Sequence, residues 1–341
     1  MASENAYGSS IFAGIEGIGI TIGGIFMQEM DRISTREAFG NAVLRLAEKN
    51  ENVIAVAADT GKSMGFGDMA KKYPERVIDV GIAEQNMMTV AAGAASVGNL
   101  VFAASYAVFT CMRALEEVRT FIAYPNLNVK VAGGMAGLSG SIEGVTHQSL
   151  EDVSFMRSIP NMMVVVPADA ASTEIIVEEV AKKYGPAYIR LGRYESPKVF
   201  DSSYKFSIGK ANVLKESGKD AAIICNGVMV GRCIDAEKIL AEKGYNVKLI
   251  EMPCVKPIDE QCIIEAAKQT GAIVTVEEHS IIGGLGSAVA EVVVQNCSVP
   301  MKFVGIKDVF TESGVQDKLL DIYGLSVEDI VAAVEDIVKR K

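Results

Sequence analysis

From Ser34 onward the chain switches repeatedly between two hydrophobic periods. Ser34 and Glu37 have the S-x-x-E spacing of a helix capping box, and Phe39, Val43, Leu46 and Ala47 follow at helical intervals. A short apolar run, Val53 to Ala57, then predicts a buried strand. The alternation continues with a small-residue helix over about 84–97, a strand over 100–104, a helix over 107–122 and a strand from Val129 to Ala132. A glycine-rich loop from Gly133 to Thr146 precedes a strand from Met162 to Val166, a helix over 170–184 and a strand from Ala187 to Leu191. Strands that are apolar throughout, separated by helices, predict a parallel sheet covered on both faces. After Pro197 and a polar stretch the pattern restarts, with strands over 221–225, 246–250, 272–276 and 302–306 and a last helix from Ser326. The expected fold class is α/β, with two doubly wound parallel-sheet domains over 30–198 and 206–341.

Residues 1–29 fit neither domain. Ile11 to Met27 is apolar, but Glu16 and several glycines interrupt it and no basic cluster precedes it, which makes a poor membrane span and a poor signal peptide. A disordered or loosely attached tail is expected, with Met27 or Met30 as the natural start. The remaining composition narrows the function. A formal charge of −10 argues against non-specific nucleic-acid binding, which needs a basic face. Six cysteines without a CxxC pair read as small core residues of a reducing compartment, here the cytoplasm. With only two histidines, a histidine-rich metal site is out of reach of this chain alone.

In open parallel sheets ligands sit outside the carboxyl ends of the strands, so the loops there carry the candidate chemistry. Glu84 opens an alanine- and glycine-rich helix whose small residues suit close approach of another backbone, and its carboxylate favours the helix N-terminus. Asp59 to Ser63 is a polar turn without the G-x-x-x-x-G-K spacing of a phosphate loop. The segment from Gly133 to Gln148 has the length and glycine content of a binding loop, with His147 near its end and Gln148 at an expected helix start. Arg36 opposes the dipole in the first turn of its helix, and Arg190 and Arg193 follow a strand; arginines so placed suit an anion. The glycine turn from Ile282 to Ser287 and the nearby His279 read as structural.

Taken in order, STREAFG, AADTGKS, DVGIAEQNMMTVAAGAA, SYAVF, EGVTHQSLED, MRSIPNMMVVVPAD and YIRLGR resemble the transketolase family. The likeness is to the C-terminal halves that some bacteria and archaea make as separate chains, and it runs from about Asp31 to the end. The resemblance implies thiamine diphosphate as cofactor. Glu84 would hold a proton at its aminopyrimidine ring nitrogen, Phe109 and Tyr106 would supply the stacking aromatics, and Asp59 would line the cofactor site. His147 would contact substrate oxygens and assist proton transfer, while Arg36, Ser63 and Arg193 would hold the anionic end of the sugar. Two positions depart from the family: Met135 stands where a phosphate-binding histidine is usual, and Glu143 where an aspartate reads a substrate hydroxyl. These changes point away from the ordinary pentose phosphates toward another sugar phosphate or a sulfonated sugar.

The GDG motif that holds Mg²⁺ and the diphosphate is absent. The resemblance therefore implies an N-terminal transketolase subunit that carries it, the two chains forming a heterotetramer with no role for nucleic acid or membrane. Rival readings are the beta subunit of a 2-oxo-acid dehydrogenase, a deoxyxylulose-phosphate synthase fragment, and a non-catalytic partner subunit.

Overall fold

The computed structural model describes residues 33–341, so the tail expected over 1–29 lies outside the described residues. The first half of the chain contributes β1 (Val53–Ala57), β2 (Val77–Asp79), β3 (Leu100–Tyr106), β4 (Val129–Gly134), β5 (Met163–Val165) and β6 (Ala187–Arg190). The second contributes β7 (Asn212–Lys215), β8 (Ala221–Cys225), β9 (Val247–Glu251), β10 (Cys254–Lys256), β11 (Ile273–Ser280) and β12 (Met301–Ile306). They form a seven-stranded sheet in the order β10-β5-β6-β4-β3-β1-β2 and a five-stranded sheet in the order β12-β11-β8-β9-β7. Helices cover both faces of each sheet with apolar residues, as the unbroken apolar strands require.

Two strands depart from the expected parallel pattern. β7 runs antiparallel to β9, and β10, from the second half of the chain, runs antiparallel to β5 at the edge of the first sheet. Both are short, and β10 lies between Pro253 and Pro257, where a run of three residues leaves no periodicity to read. β2 escaped the sequence reading for the same reason.

Local chemistry explains other differences. Ser34 Oγ accepts from the Glu37 N–H at 3.2 Å, but the reciprocal half of the capping box does not form. The Ser34 backbone is instead committed to a bridge with Glu195. The expected helix over 107–122 is broken into two wide π-helical stretches, Phe109–Arg113 and Val118–Ala123, flanking a short turn. The Phe109 carbonyl there accepts from the Ala114 N–H at 3.2 Å, one residue further than in an α-helix. Such bulges occur often at functional sites, because they re-aim side chains. Cys111, Cys225, Cys233 and Cys254 are buried, and Cys262 and Cys297 half-buried; all six thiols are free. No helix among the described residues is long and apolar enough to cross a membrane.

The neighbouring parallel strands β1, β3, β4 and β6 all end on the same side of the first sheet. That geometry gathers the loops at 58–63, 106–113, 133–148 and 190–193 at one rim.

Candidate active site

Glu84 is the first residue of the helix Glu84–Ser96, with its carboxyl buried at 2% exposure. Its partner is Arg113, whose Nη1 donates to Oε2 at 2.7 Å. The Arg113 guanidinium also lies over the Phe109 ring, 4.4 Å from its centroid. The sequence reading did not single out Arg113; its spacing of four from Phe109 was the available signal. Phe109 meets His147 edge-on, with centroids 5.4 Å apart, and Tyr106 stands 6.3 Å from both. Ser63 Oγ lies 3.4 Å from the Tyr106 hydroxyl, and Thr146 Oγ1 is 3.0 Å from His147 Nδ1.

A second group carries the charge. Arg36 Nη2 donates to the Arg193 carbonyl at 3.2 Å, which sets the two arginines side by side. Arg193 forms an ion pair with Glu143, and that bond raises the Arg193 pKa and lowers that of Glu143. Burial pulls the Arg36 pKa below its ordinary value, and its Nε is buried without a hydrogen-bond partner. Gly134 makes room for this side chain: a Cβ there would stand 2.4 Å from Met64 Sδ and 3.0 Å from Arg36 Cδ.

Two candidates sit apart. Asp59 enters through its backbone, whose N–H donates to Asp79 Oδ1 at 2.9 Å; the same oxygen accepts the Gly81 N–H at 2.9 Å, so Asp79 ties the Asp59 turn to the approach of Glu84. Met135 has a left-handed φ of 54° and packs inside at 2% exposure, so its thioether does not form part of the open wall.

The loop that bears Glu143 and His147 is fastened to the second half of the chain. Ser141 Oγ donates to the Gly314 carbonyl at 2.5 Å, and the Leu138 N–H to Glu278 Oε1 at 3.1 Å. Gln148 does not start a helix, as the sequence had suggested; the next helix begins at Asp152. Its amide is used otherwise. Nε2 donates to the Ser141 carbonyl at 3.3 Å and the Glu312 carbonyl at 3.0 Å, while Oε1 accepts from the Thr311 hydroxyl. Every polar atom of that side chain thus braces the loop against 311–314.

Arg190 is likewise reassigned. Instead of meeting an anion at the rim it is buried, with Nε donating to Asp152 Oδ2 at 2.8 Å and Nη2 to the Glu278 carbonyl at 2.8 Å. The glycine turn before the helix Leu285–Asn296 is structural: Glu277 accepts the Leu285 and Gly286 N–H groups at 2.7 and 2.8 Å, so that helix N-terminus is already capped. His279 is buried beside it.

Two α/β units joined in series, with a buried carboxyl and an aromatic cluster at the carboxyl rim of the first sheet, define a two-domain α/β protein with a candidate binding site at that rim. Residues 31–198 match the transketolase pyrimidine binding domain and residues 209–330 the transketolase C-terminal domain, and the chain belongs to the transketolase family. A 6-deoxy-6-sulfo-D-fructose transketolase subunit of Clostridium sp. (strain MSTE9) is 38% identical over 306 residues, covering 90% of this chain and 95% of its own. One of the subunits of the apulose-4-phosphate transketolase of Phocaeicola vulgatus is 37% identical, over 90% of this chain and 98% of its own. A solved structure described as a split gene transketolase, inactive beta4 tetramer, superposes with a TM-score of 0.84 at 47% identity, covering 90% of this chain and 99% of that one. The chain therefore corresponds in extent to a separately made C-terminal transketolase subunit, and family membership implies thiamine diphosphate as cofactor.

Proposed function

We propose that the chain is the pyrimidine-side subunit of a two-subunit transketolase that moves a two-carbon ketol unit from an anionic ketose to an aldose. The observation that carries this reading is the buried Glu84 carboxyl and the Phe109 face, both met by the one Arg113 guanidinium, with His147 against the edge of the same ring. These residues fit an aminopyrimidine: Glu84 is a carboxyl in a dry site with a single hydrogen-bond partner among the described residues, and Phe109 and Tyr106 offer flat apolar surface beside it. When bound, thiamine diphosphate supplies the carbon nucleophile and the electron sink. Glu84 holds and releases the proton at the ring nitrogen, and Phe109 and Tyr106 fix the ring plane. Asp59 lines the cofactor side. His147 contacts the oxygens of the sugar and moves a proton there, and Glu143 reads a hydroxyl. Arg36, Ser63 and Arg193 take the anionic tail, with Met135 behind them in the place of a charged donor.

An N-terminal subunit with the GDG site would hold Mg²⁺ and the diphosphate, and activity would require it, in a cytoplasmic heterotetramer. The cofactor residues lie in 30–198, and 206–341 is the bracing unit. The tail pocket has two arginines and one opposing carboxylate. The single positive charge left over matches a singly charged tail, a sulfonate, better than a doubly charged phosphate; the relative named for sulfofructose supports this choice.

Native mass spectrometry of the protein from its own host is expected to show a second chain and thiamine diphosphate in one complex. That complex should turn over 6-deoxy-6-sulfofructose in preference to xylulose 5-phosphate. A cofactor-free homo-oligomer would overturn the catalytic reading, and a clear preference for xylulose 5-phosphate would overturn the substrate.

The brace gives a separate prediction. Thr311→Val leaves Gln148 Oε1 buried without its donor, a loss of about 1–3 kcal/mol. KM for the ketose should rise roughly tenfold as His147 and Glu143 lose their fixed positions. Thr311→Ser should restore it, and cofactor affinity should stay unchanged in both. Equal KM values for the valine and serine variants would show that the brace does not position the loop.

A further inference from the structure

Arg113 makes two contacts that nothing else in the site explains. Its Nη1 donates to the buried Glu84 carboxylate at 2.7 Å, and its guanidinium lies 4.4 Å over the Phe109 centroid. Its own side chain is 46% exposed, so it reaches the buried carboxyl from the open side of the cleft. A guanidinium is a flat, delocalised group that presents N–H donors at its edge and stacks through its face. An aminopyrimidine has the same two handles, an N–C–N edge for a carboxyl and a flat face for an aromatic ring. Glu84 and Phe109 are the residues that would take those handles in the proposed function.

Nothing fastens Arg113 in this pose apart from these two groups: among the described residues it makes no hydrogen bond except that to Glu84. It rides on the π-helical stretch Phe109–Arg113, whose extra residue per turn sets it beside the ring. Were it a purely structural ion pair, it would be expected to be buried together with its carboxylate, as Arg190 is with Asp152. Instead it ends in the cleft.

We propose that Arg113 is an internal stand-in for the aminopyrimidine, holding Glu84 and the Phe109 face in the cofactor-free subunit, and that thiamine diphosphate enters by displacing it. The inference rests on the functional reading above. Displacement keeps the buried carboxylate paired until the cofactor arrives, and it lowers apparent cofactor affinity in proportion to the fraction of sites the arginine leaves open.

The test is a titration of the reconstituted two-subunit complex with thiamine diphosphate at saturating Mg²⁺, followed by isothermal calorimetry because the chain has no tryptophan to report binding. Arg113→Met removes the charge and the hydrogen bond to Glu84 at similar bulk and is expected to bind the cofactor about tenfold tighter than the unaltered complex. Arg113→Lys, a point charge without a flat face, should fall between the two. A melting curve of each variant confirms that the fold is retained. Unchanged or weaker binding by a folded methionine variant would overturn the proposal while leaving the functional reading intact. Absence of cofactor binding in every complex, the unaltered one included, would overturn both.

Discussion

Replacing Glu84 by glutamine is expected to lower ketol transfer by about three orders of magnitude while the subunit stays folded and still binds its partner. The substitution keeps the volume of a side chain buried at 2% exposure and leaves an amide oxygen for the Arg113 donor. What it removes, on the proposed function, is a group able to take up and release a proton at the ring nitrogen of the cofactor. General acid–base catalysis by a positioned side chain is worth about 10²–10⁴-fold, and a group that activates the cofactor itself belongs in the upper part of that range. Single-turnover measurements on the reconstituted complex, with a melting curve alongside, separate chemistry from folding. Retention of more than a tenth of the activity would remove Glu84 from this role.

The largest effect on stability should come from Asp152, which is fully buried. Its Oδ2 accepts from the Tyr188 hydroxyl at 2.7 Å and from Arg190 Nε at 2.8 Å. Burial alone would pull the Arg190 pKa down, but Asp152, helped by Glu278, more than reverses this and holds it above its ordinary value. Asp152→Ala leaves a buried guanidinium with only the more distant Glu278 carboxylate, 3.9 Å away, and the Tyr188 hydroxyl without its acceptor. The expected cost is about 3–5 kcal/mol in denaturant unfolding, since breaking one side of a buried pair exposes the full desolvation penalty of the other. Asp152→Leu combined with Arg190→Met and Glu278→Gln should recover much of that loss, because no charge is then left unpaired. A single-variant loss below about 1 kcal/mol would show that water or Glu278 replaces Asp152, and that the network is less coupled than its distances indicate.

The regular part of this fold was legible because its strands are buried on both faces. Val53 to Ala57 and Ala221 to Cys225 announce themselves as unbroken apolar runs, and their bounds coincide with the observed strands. What escaped was structure whose cause is non-local. Three residues at Cys254–Lys256 pair with Met163–Val165 because of how the chain returns to the first sheet, which no periodicity encodes. The π-helical stretches replaced an expected plain helix because the i to i+5 bond from Phe109 arises at the rim and not in the residue pattern.

The site divides in the same way. Tyr106, Phe109, His147 and Ser63 were singled out from ordered motifs, and the chain brings them within reach of one another. Gln148 stood in such a motif too, but its partner Thr311 lies in the other half of the chain, so its bracing position was invisible. Arg190 misled for the opposite reason. An arginine at a strand end suits an anion, but only three dimensions reveal that Asp152 and Glu278 already neutralise it.

The strand β10 bears on how the gene can be divided. Because the outer edge of the first sheet is supplied from beyond the inter-domain link, residues 30–198 do not constitute a free-standing module. A protein ending near residue 200 would present the backbone of β5 (Met163–Val165) as an open, apolar edge, the kind of surface on which chains add to one another. In the intact chain that place is taken by three residues closed off by Pro257, too short and too irregular to template a further strand. A cut ahead of residue 31 would leave this seam whole, whereas one between the two sheets would expose it.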